Sequence, residues 1–197
     1  MSNDFDELYR LLQKFKNFPT VGNRIKLSAT GKRLKSLLLG IRNEVGAYNR
    51  KNKSLNPNLM ENTISKEGNQ IYKLIEKIIH RHHSTYEFNQ IIINKDSTFL
   101  IHKDKNNKND ESLIFSVGTF AEALGGGIAL YHDIGVEKIN NIHYCKQDSK
   151  PYDILDVKNT PTIFNGKTIY HATQPFTGNR FCVVAYLNKI PLKYIPY

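Results

Sequence analysis

The spacing of apolar positions changes once along this chain. Up to His83 they recur every three to four residues, and from Glu87 onward they alternate or cluster in short blocks between turns. Leu8, Leu11, Leu12 and Phe15 mark an amphipathic helix over 5–18, with Asp4 as its expected N-cap and Pro19 and Gly22 ending it. Ile71, Leu74, Ile75, Ile78 and Ile79 form a second stripe, which predicts a helix over 65–80 capped by Ser65, with Gly68 tolerated inside. Between the two, 33–42 fits either a helix or a strand, because Leu37-Leu38-Leu39 suits both. The stretch 48–62, around Asn56-Pro57-Asn58, reads as a loop.

The second half predicts eight short strands, at 88–94, 98–102, 113–118, 127–132, 152–157, 160–164, 168–171 and 180–188. Turn chemistry separates them, including 105–110, Gly125-Gly126-Gly127, Asn165-Gly166 and 175–179. Helices followed by many short strands give an α+β protein with a double-sheet, jelly-roll-like core and the N-terminal helices packed on one sheet. The expected division is a helical, basic region over 1–64 and a β core over 65–197 that includes its buttressing helix.

Composition narrows the class. The chain has 197 residues, 40% of them hydrophobic, which suits a single globular domain. No apolar run approaches the roughly 20 residues that span a bilayer. The acidic start lacks the apolar core of a secretory signal, so an intracellular protein, cytoplasmic or nuclear, is expected. Cys145 and Cys182 have no CxxC partner, which favours a reducing compartment and argues against a thiolate zinc site. The net charge of +10 is concentrated: residues 23–53 hold nine Lys or Arg and one acid, Glu44. Such a segment reads either as a solvated face or as the footprint of a polyanionic partner.

Candidate chemistry sits in the β half. The strand predicted over 98–102 ends in His102-Lys103-Asp104, and on an extended chain positions two apart share a face. His171 ends a second predicted strand, 175–179 is turn-like, and Arg180 follows His171 by nine residues. A hairpin there would put Arg180 on the antiparallel neighbour of the His171 strand. Two imidazoles and a carboxylate on one side of an iron leave three positions open, as in the facial triad of non-haem Fe(II) oxygenases. A guanidinium nearby suits the far carboxylate of a dicarboxylic acid. The other histidines have plainer readings: His80, His82 and His83 as cations at a helix C-terminus, His132 and His143 as surface residues in loops.

At these residues the chain resembles the Fe(II)/2-oxoglutarate-dependent dioxygenase superfamily, with its double-stranded β-helix core. Within it, the chain looks most like the TET/JBP group, which oxidises the 5-methyl group of pyrimidines in nucleic acid. The similarity is carried by 88–96 running into 102–107, by 112–120 with 126–130, and by 164–180. The resemblance implies Fe(II), 2-oxoglutarate and O2 as cofactor and co-substrates. It implies His102, Asp104 and His171 as iron ligands and Arg180 as the residue binding the distal carboxylate. Asn94 matches a position that contacts co-substrate or base. Asn106 and Asn107 follow the ligands closely enough to touch substrate, or serve only as turn formers. Lys103, Lys105 and Lys108 could add phosphate contacts to those of 23–53. Two departures stand out: Cys182 replaces a common Ser two residues after the Arg, and 121–124 looks like a short insertion.

Three functions are thereby in play. The first is oxidation of thymine or 5-methylcytosine in nucleic acid, DNA ahead of RNA, with the target base flipped from the stack. The alternative is a protein side-chain hydroxylase, prolyl-hydroxylase-like, using the same chemistry. The third, a binding module whose site has decayed, is opposed by the intact set of three ligands and Arg180. No membrane partner is expected, and oligomeric state is left open.

Overall fold

A computed structural model of the chain describes residues 3–16, 18–21, 25–41, 63, 65–104, 110–121, 125–132, 134, 136–139, 142–147 and 149–187. It is a mixed α+β structure. Helix α1 (Asp4–Lys14) and helix α2 (Lys66–His82) lie against a sheet of six strands. In chain order the strands are β1 (Thr20–Val21), β2 (Leu34–Gly40), β3 (Gln90–Lys95), β4 (Ser112–Gly118), β5 (Ile128–Tyr131), β6 (Val136–Ile139), β7 (Ile142–Cys145), β8 (Asp153–Leu155), β9 (Thr162–Phe164), β10 (Tyr170–Thr173) and β11 (Arg180–Tyr186). The large sheet has the order β1-β2-β3-β11-β4-β9, the small sheet β10-β5-β8, and β6-β7 stand as a separate pair. Every ladder is antiparallel.

Both helices follow from their end chemistry and one apolar stripe each. Ser65 Oγ accepts from Gly68 N–H at 3.1 Å, as its position predicts. The cap of α1 is Asn3, whose Oδ1 accepts from Phe5 N–H, and not Asp4. Asp4 is held instead across the helix pair, 2.9 Å from Lys77 Nζ and 2.5 Å from Arg81 Nη1. That pairing lowers its pKa, the Lys77 hydrogen bond first. At the far end of α2, His82 Nδ1 lies 2.9 Å from the Ile78 carbonyl, and His83 Nε2 lies 2.9 Å from the Pro161 carbonyl. His82 thus meets a carbonyl of the last turn, and His83 ties the helix end to the connection between β8 and β9.

Alternation divides the large sheet into two faces. Leu37, Leu39, Ile91, Ile93, Phe115, Val117, Phe181, Val183 and Ala185 enter one core with Phe5, Leu8, Leu12 and the apolar stripe of α2. Ile114 and Cys182, on the opposite face, pack with Ile128, Leu130, Val157 and Phe164. The small sheet therefore covers the face that the helices leave. The ambiguous segment over 33–42 resolves as strand β2, because Leu37 pairs opposite Ile93 and completes the row of apolar residues under α2.

Three expectations need correction. The segment predicted as a strand over 98–102 makes single bridges, Ser28 with Phe99 and His102 with His171, and forms no ladder. Its N–H groups are met piecemeal, Leu100 by the Leu27 carbonyl and Ile101 by Gln147 Oε1. The predicted hairpin between His171 and Arg180 does not form. β11 already pairs with β3 and β4 on its two edges, so β10 lies in the small sheet. His143, expected in a loop, lies on β7 of a hairpin that was not predicted. Asn140-Asn141 between β-branched residues was its signal. Among the described residues, no helix is long and apolar enough to cross a membrane.

Tyr86 joins β4 and β11 near their ends. Its hydroxyl donates to the Ala185 carbonyl and accepts from Leu113 N–H, both at 2.9 Å. Burial pushes its pKa from 10.0 up to about 12, against the Leu113 N–H, which favours the phenolate. Because the folded value is raised, its contribution is intact below pH 10 and is lost as pH rises from 10 toward 12. Tyr86→Phe leaves a buried N–H unpaired. It should cost about 1–3 kcal/mol at neutral pH and should flatten the alkaline limb of stability, both read by urea unfolding across pH.

Candidate metal centre

The centre is assembled by backbone hydrogen bonds between segments far apart in sequence. His102 N–H donates to the His171 carbonyl at 3.0 Å, and His171 N–H to the His102 carbonyl at 2.9 Å. Residues that exchange both bonds project their side chains to the same side. The two imidazole rings accordingly lie 4.4 Å apart, centroid to centroid. Asp104 follows two residues after His102, with its N–H bonded to the Gly166 carbonyl at 2.8 Å. Its Oδ1 is 3.8 Å from His102 Nε2 and its Oδ2 is 4.0 Å from His171 Nε2. The three donor atoms lie within 4.8 Å of one another.

The tautomers suit a metal. Each Nδ1 faces the carbonyl two residues earlier, Leu100 at 2.7 Å for His102 and Ile169 at 3.0 Å for His171. A carbonyl only accepts, so Nδ1 carries the proton and Nε2 keeps its lone pair on the side of Asp104. Phe164 stands edge-on to His171 at 5.0 Å, and Phe99 lies 5.7 Å from His102. Gly166 leaves room for the carboxylate: a Cβ at that position would stand 2.8 Å from Asp104 Oδ2 and would push it aside.

The three residues border a cavity of about 100 Å³ between the two sheets, lined also by Asn94, Ile114, Ile128, Thr173 and Cys182. Asn94 is buried, and its Oδ1 accepts from Ser36 Oγ at 2.6 Å. Its carbonyl end is thus occupied, and its amide NH2 is the end available to a bound molecule. Cys182 is a buried free thiol on the cavity wall.

Arg180 starts β11 on the same face as Cys182, two residues away. It is 1% exposed, and its guanidinium lies beside a pair of aromatic rings, 5.6 Å from the centre of Phe120 and 5.4 Å from that of Phe176. Its backbone is tied to Asp96, whose Oδ1 accepts the Arg180 N–H at 2.8 Å. Among the described residues, its Nε and Nη2 have no hydrogen-bond partner. Buried charge without a partner is costly, so the site calls for an anion. A His2Asp donor set fits a divalent iron with open positions, and the unpaired guanidinium fits a carboxylate on a bound molecule.

Of the other residues singled out from the sequence, Lys103 turns away from the ligands on either side of it, its Nζ 4.0 Å from the centre of the Tyr170 ring. Lys105, Asn106, Asn107 and Lys108 lie outside the described residues, as does most of the suspected insertion at 121–124. Within the basic segment, Lys35 shares the face of Leu37 and Leu39, which is the helix side of the sheet. Ser36, Gly166 and the Phe120–Phe176 pair carried no signal in the sequence. Ser36 meets Asn94 across 58 residues, and no local pattern announces it.

No protein-family profile matches the chain, and no curated protein matches it in sequence. Among solved structures, it is similar to a prolyl-4-hydroxylase from Pseudomonas putida, at 10% identity and a TM-score of 0.45, over 95% of this chain and 84% of that one.

Gly166→Ala should crowd the carboxylate while leaving both imidazoles in place. Mn(II) affinity measured by calorimetry is expected to fall about tenfold or more, with the far-UV spectrum unchanged.

Proposed function

We propose that the chain is an Fe(II)- and 2-oxoglutarate-dependent dioxygenase on a double-stranded β-helix core. One observation carries the reading: two correctly tautomerised imidazoles and a carboxylate converge beside a cavity, and a buried guanidinium with unpaired donors belongs to the same sheet face. The strand order supports the fold. Taken in sequence, β3, the His102 bridge, β4, β5, β8, β9, β10 and β11 divide between the layers as β3-β11-β4-β9 and His102-β10-β5-β8. That interleaving is what a double-stranded β-helix requires.

In this reading His102, Asp104 and His171 hold the iron and leave three positions for ligands. Arg180 pairs with the distal carboxylate of 2-oxoglutarate. Asn94, oriented by Ser36, donates from its NH2 to the co-substrate or to the target. When bound, iron supplies oxidation of a C–H bond by O2, coupled to conversion of 2-oxoglutarate to succinate and CO2. Phe99, Phe164 and the aliphatic walls limit water at the reacting centre.

For the target we put a protein side chain ahead of a pyrimidine methyl group. A flipped base needs its flanking phosphates anchored around the mouth of the site. Lys35 of the basic segment faces the helix layer, away from the cavity. The pyrimidine reading keeps one support: the backbone at 27–29 runs beside Thr98–Leu100, next to the ligand segment, and brings Lys26 near it.

The test starts from protein purified without oxygen and loaded with Fe(II) and 2-oxoglutarate. Exposure to air should yield succinate, and His102→Ala and Asp104→Ala should each abolish it; near-normal succinate in either variant refutes the metal assignment. Mass spectrometry of treated protein digests should then find a one-oxygen gain. An oxidised pyrimidine in digests of treated DNA or RNA, with salt-sensitive binding, would reverse the order of the two targets.

A further inference from the structure

The segment that carries His102 makes only single bridges, so other groups must meet its backbone. Leu100 N–H donates to the Leu27 carbonyl, and His102 exchanges two bonds with His171. Ile101, between them, is met by a side chain. Gln147 Oε1 accepts the Ile101 N–H at 2.9 Å, and Gln147 Nε2 donates to the Ile101 carbonyl at 3.4 Å. One side-chain amide thus engages both the donor and the acceptor of Ile101, as a neighbouring strand would.

A peptide unit is rigid and planar, so fixing its N–H fixes the carbonyl of the residue before it. The unit that offers the Ile101 N–H to Gln147 also carries the Leu100 carbonyl. That carbonyl lies 2.7 Å from His102 Nδ1 and keeps the ring proton there. The next unit carries the Ile101 carbonyl and the His102 N–H, which donates to His171. Gln147 therefore grips both planes that set where His102 stands and which of its nitrogens is free. Accepting the N–H also polarises the first unit, which strengthens the Leu100 carbonyl as an acceptor.

Gln147 is exposed and follows β7 by two residues. Ile134, two residues before β6, packs with Ile101 and with Ala172, the neighbour of His171. The β6–β7 hairpin is thus anchored on Ile101 from both ends, by apolar packing at one and by the amide at the other.

We infer that Gln147 is a positioning residue of the metal centre. It acts through the Leu100–Ile101 peptide to hold the His102 proton on Nδ1 and the Nε2 lone pair toward the metal, and it couples the β6–β7 hairpin to metal binding. The inference rests on the reading of His102, Asp104 and His171 as metal ligands. Groups that orient a ligating imidazole from behind change metal affinity without touching the metal.

The experiment uses the full chain and two readouts besides activity: ring-carbon NMR of the metal-free protein, which reports the tautomer of each neutral histidine, and calorimetry with Mn(II). Wild type should show His102 with its proton on Nδ1. Gln147→Met, similar in shape, removes both hydrogen bonds. It should bring out the Nε2–H tautomer at His102, leave His171 as it was, and weaken Mn(II) binding about tenfold. Gln147→Glu keeps the acceptor for the Ile101 N–H and should retain the wild-type tautomer. Because coupling is reciprocal, Mn(II) should also slow hydrogen exchange of the Ile101 N–H in wild type, a measurement that needs no variant. A wild-type tautomer in Gln147→Met, whether or not its urea midpoint falls, or an Ile101 exchange rate indifferent to Mn(II), overturns the inference and leaves the metal reading standing. Failure of wild type to bind Mn(II) overturns both.

Discussion

The reciprocal pair of backbone hydrogen bonds between His102 and His171 is the contact on which the site depends. It fixes the two rings at one separation without using a ring atom for the purpose. It also joins the segment after β3 to the edge of the small sheet, so closing the layers and assembling the ligands are one event. Asp104 is held by the same means, through Gly166. All three donors are therefore positioned by main chain, and their side chains stay available for chemistry.

Strand β11 organises the other half. It sits between β3 and β4 in the large sheet, and its alternation sends Phe181, Val183 and Ala185 to the helices and Arg180 and Cys182 to the opposite face. The helices contribute no ligand. They cover one face of a sheet whose other face holds the site, and the Tyr86 hydroxyl ties the strands of that sheet at their ends.

What could be read in advance was what depends on local period. The stripes of α1 and α2 gave the helices, and His-x-Asp on an extended segment gave two ligands on one side. The cap of α1 was misassigned by one residue because Asp4 is recruited by Lys77, a partner 73 positions away. Leu37-Leu38-Leu39 could not be resolved, because only pairing with β3 distinguishes a buried strand from a buried helix turn. The hairpin expected between His171 and Arg180 is a crossing between sheets, which depends on β11 being occupied on both edges. Ser36 behind Asn94 follows from register, and register is invisible until the strands are aligned.

The aromatic pair beside Arg180 carries a consequence for the life of the protein outside catalysis. Phe120 and Phe176 hold the guanidinium in place but cannot neutralise it. An anion that pairs with it binds the folded chain and has no equivalent site on the unfolded one. Such a ligand raises the free energy of unfolding by RT ln(1 + [L]/Kd), growing with every tenfold rise in its concentration above Kd. The fraction of chain open to proteolysis would then fall as that anion accumulates.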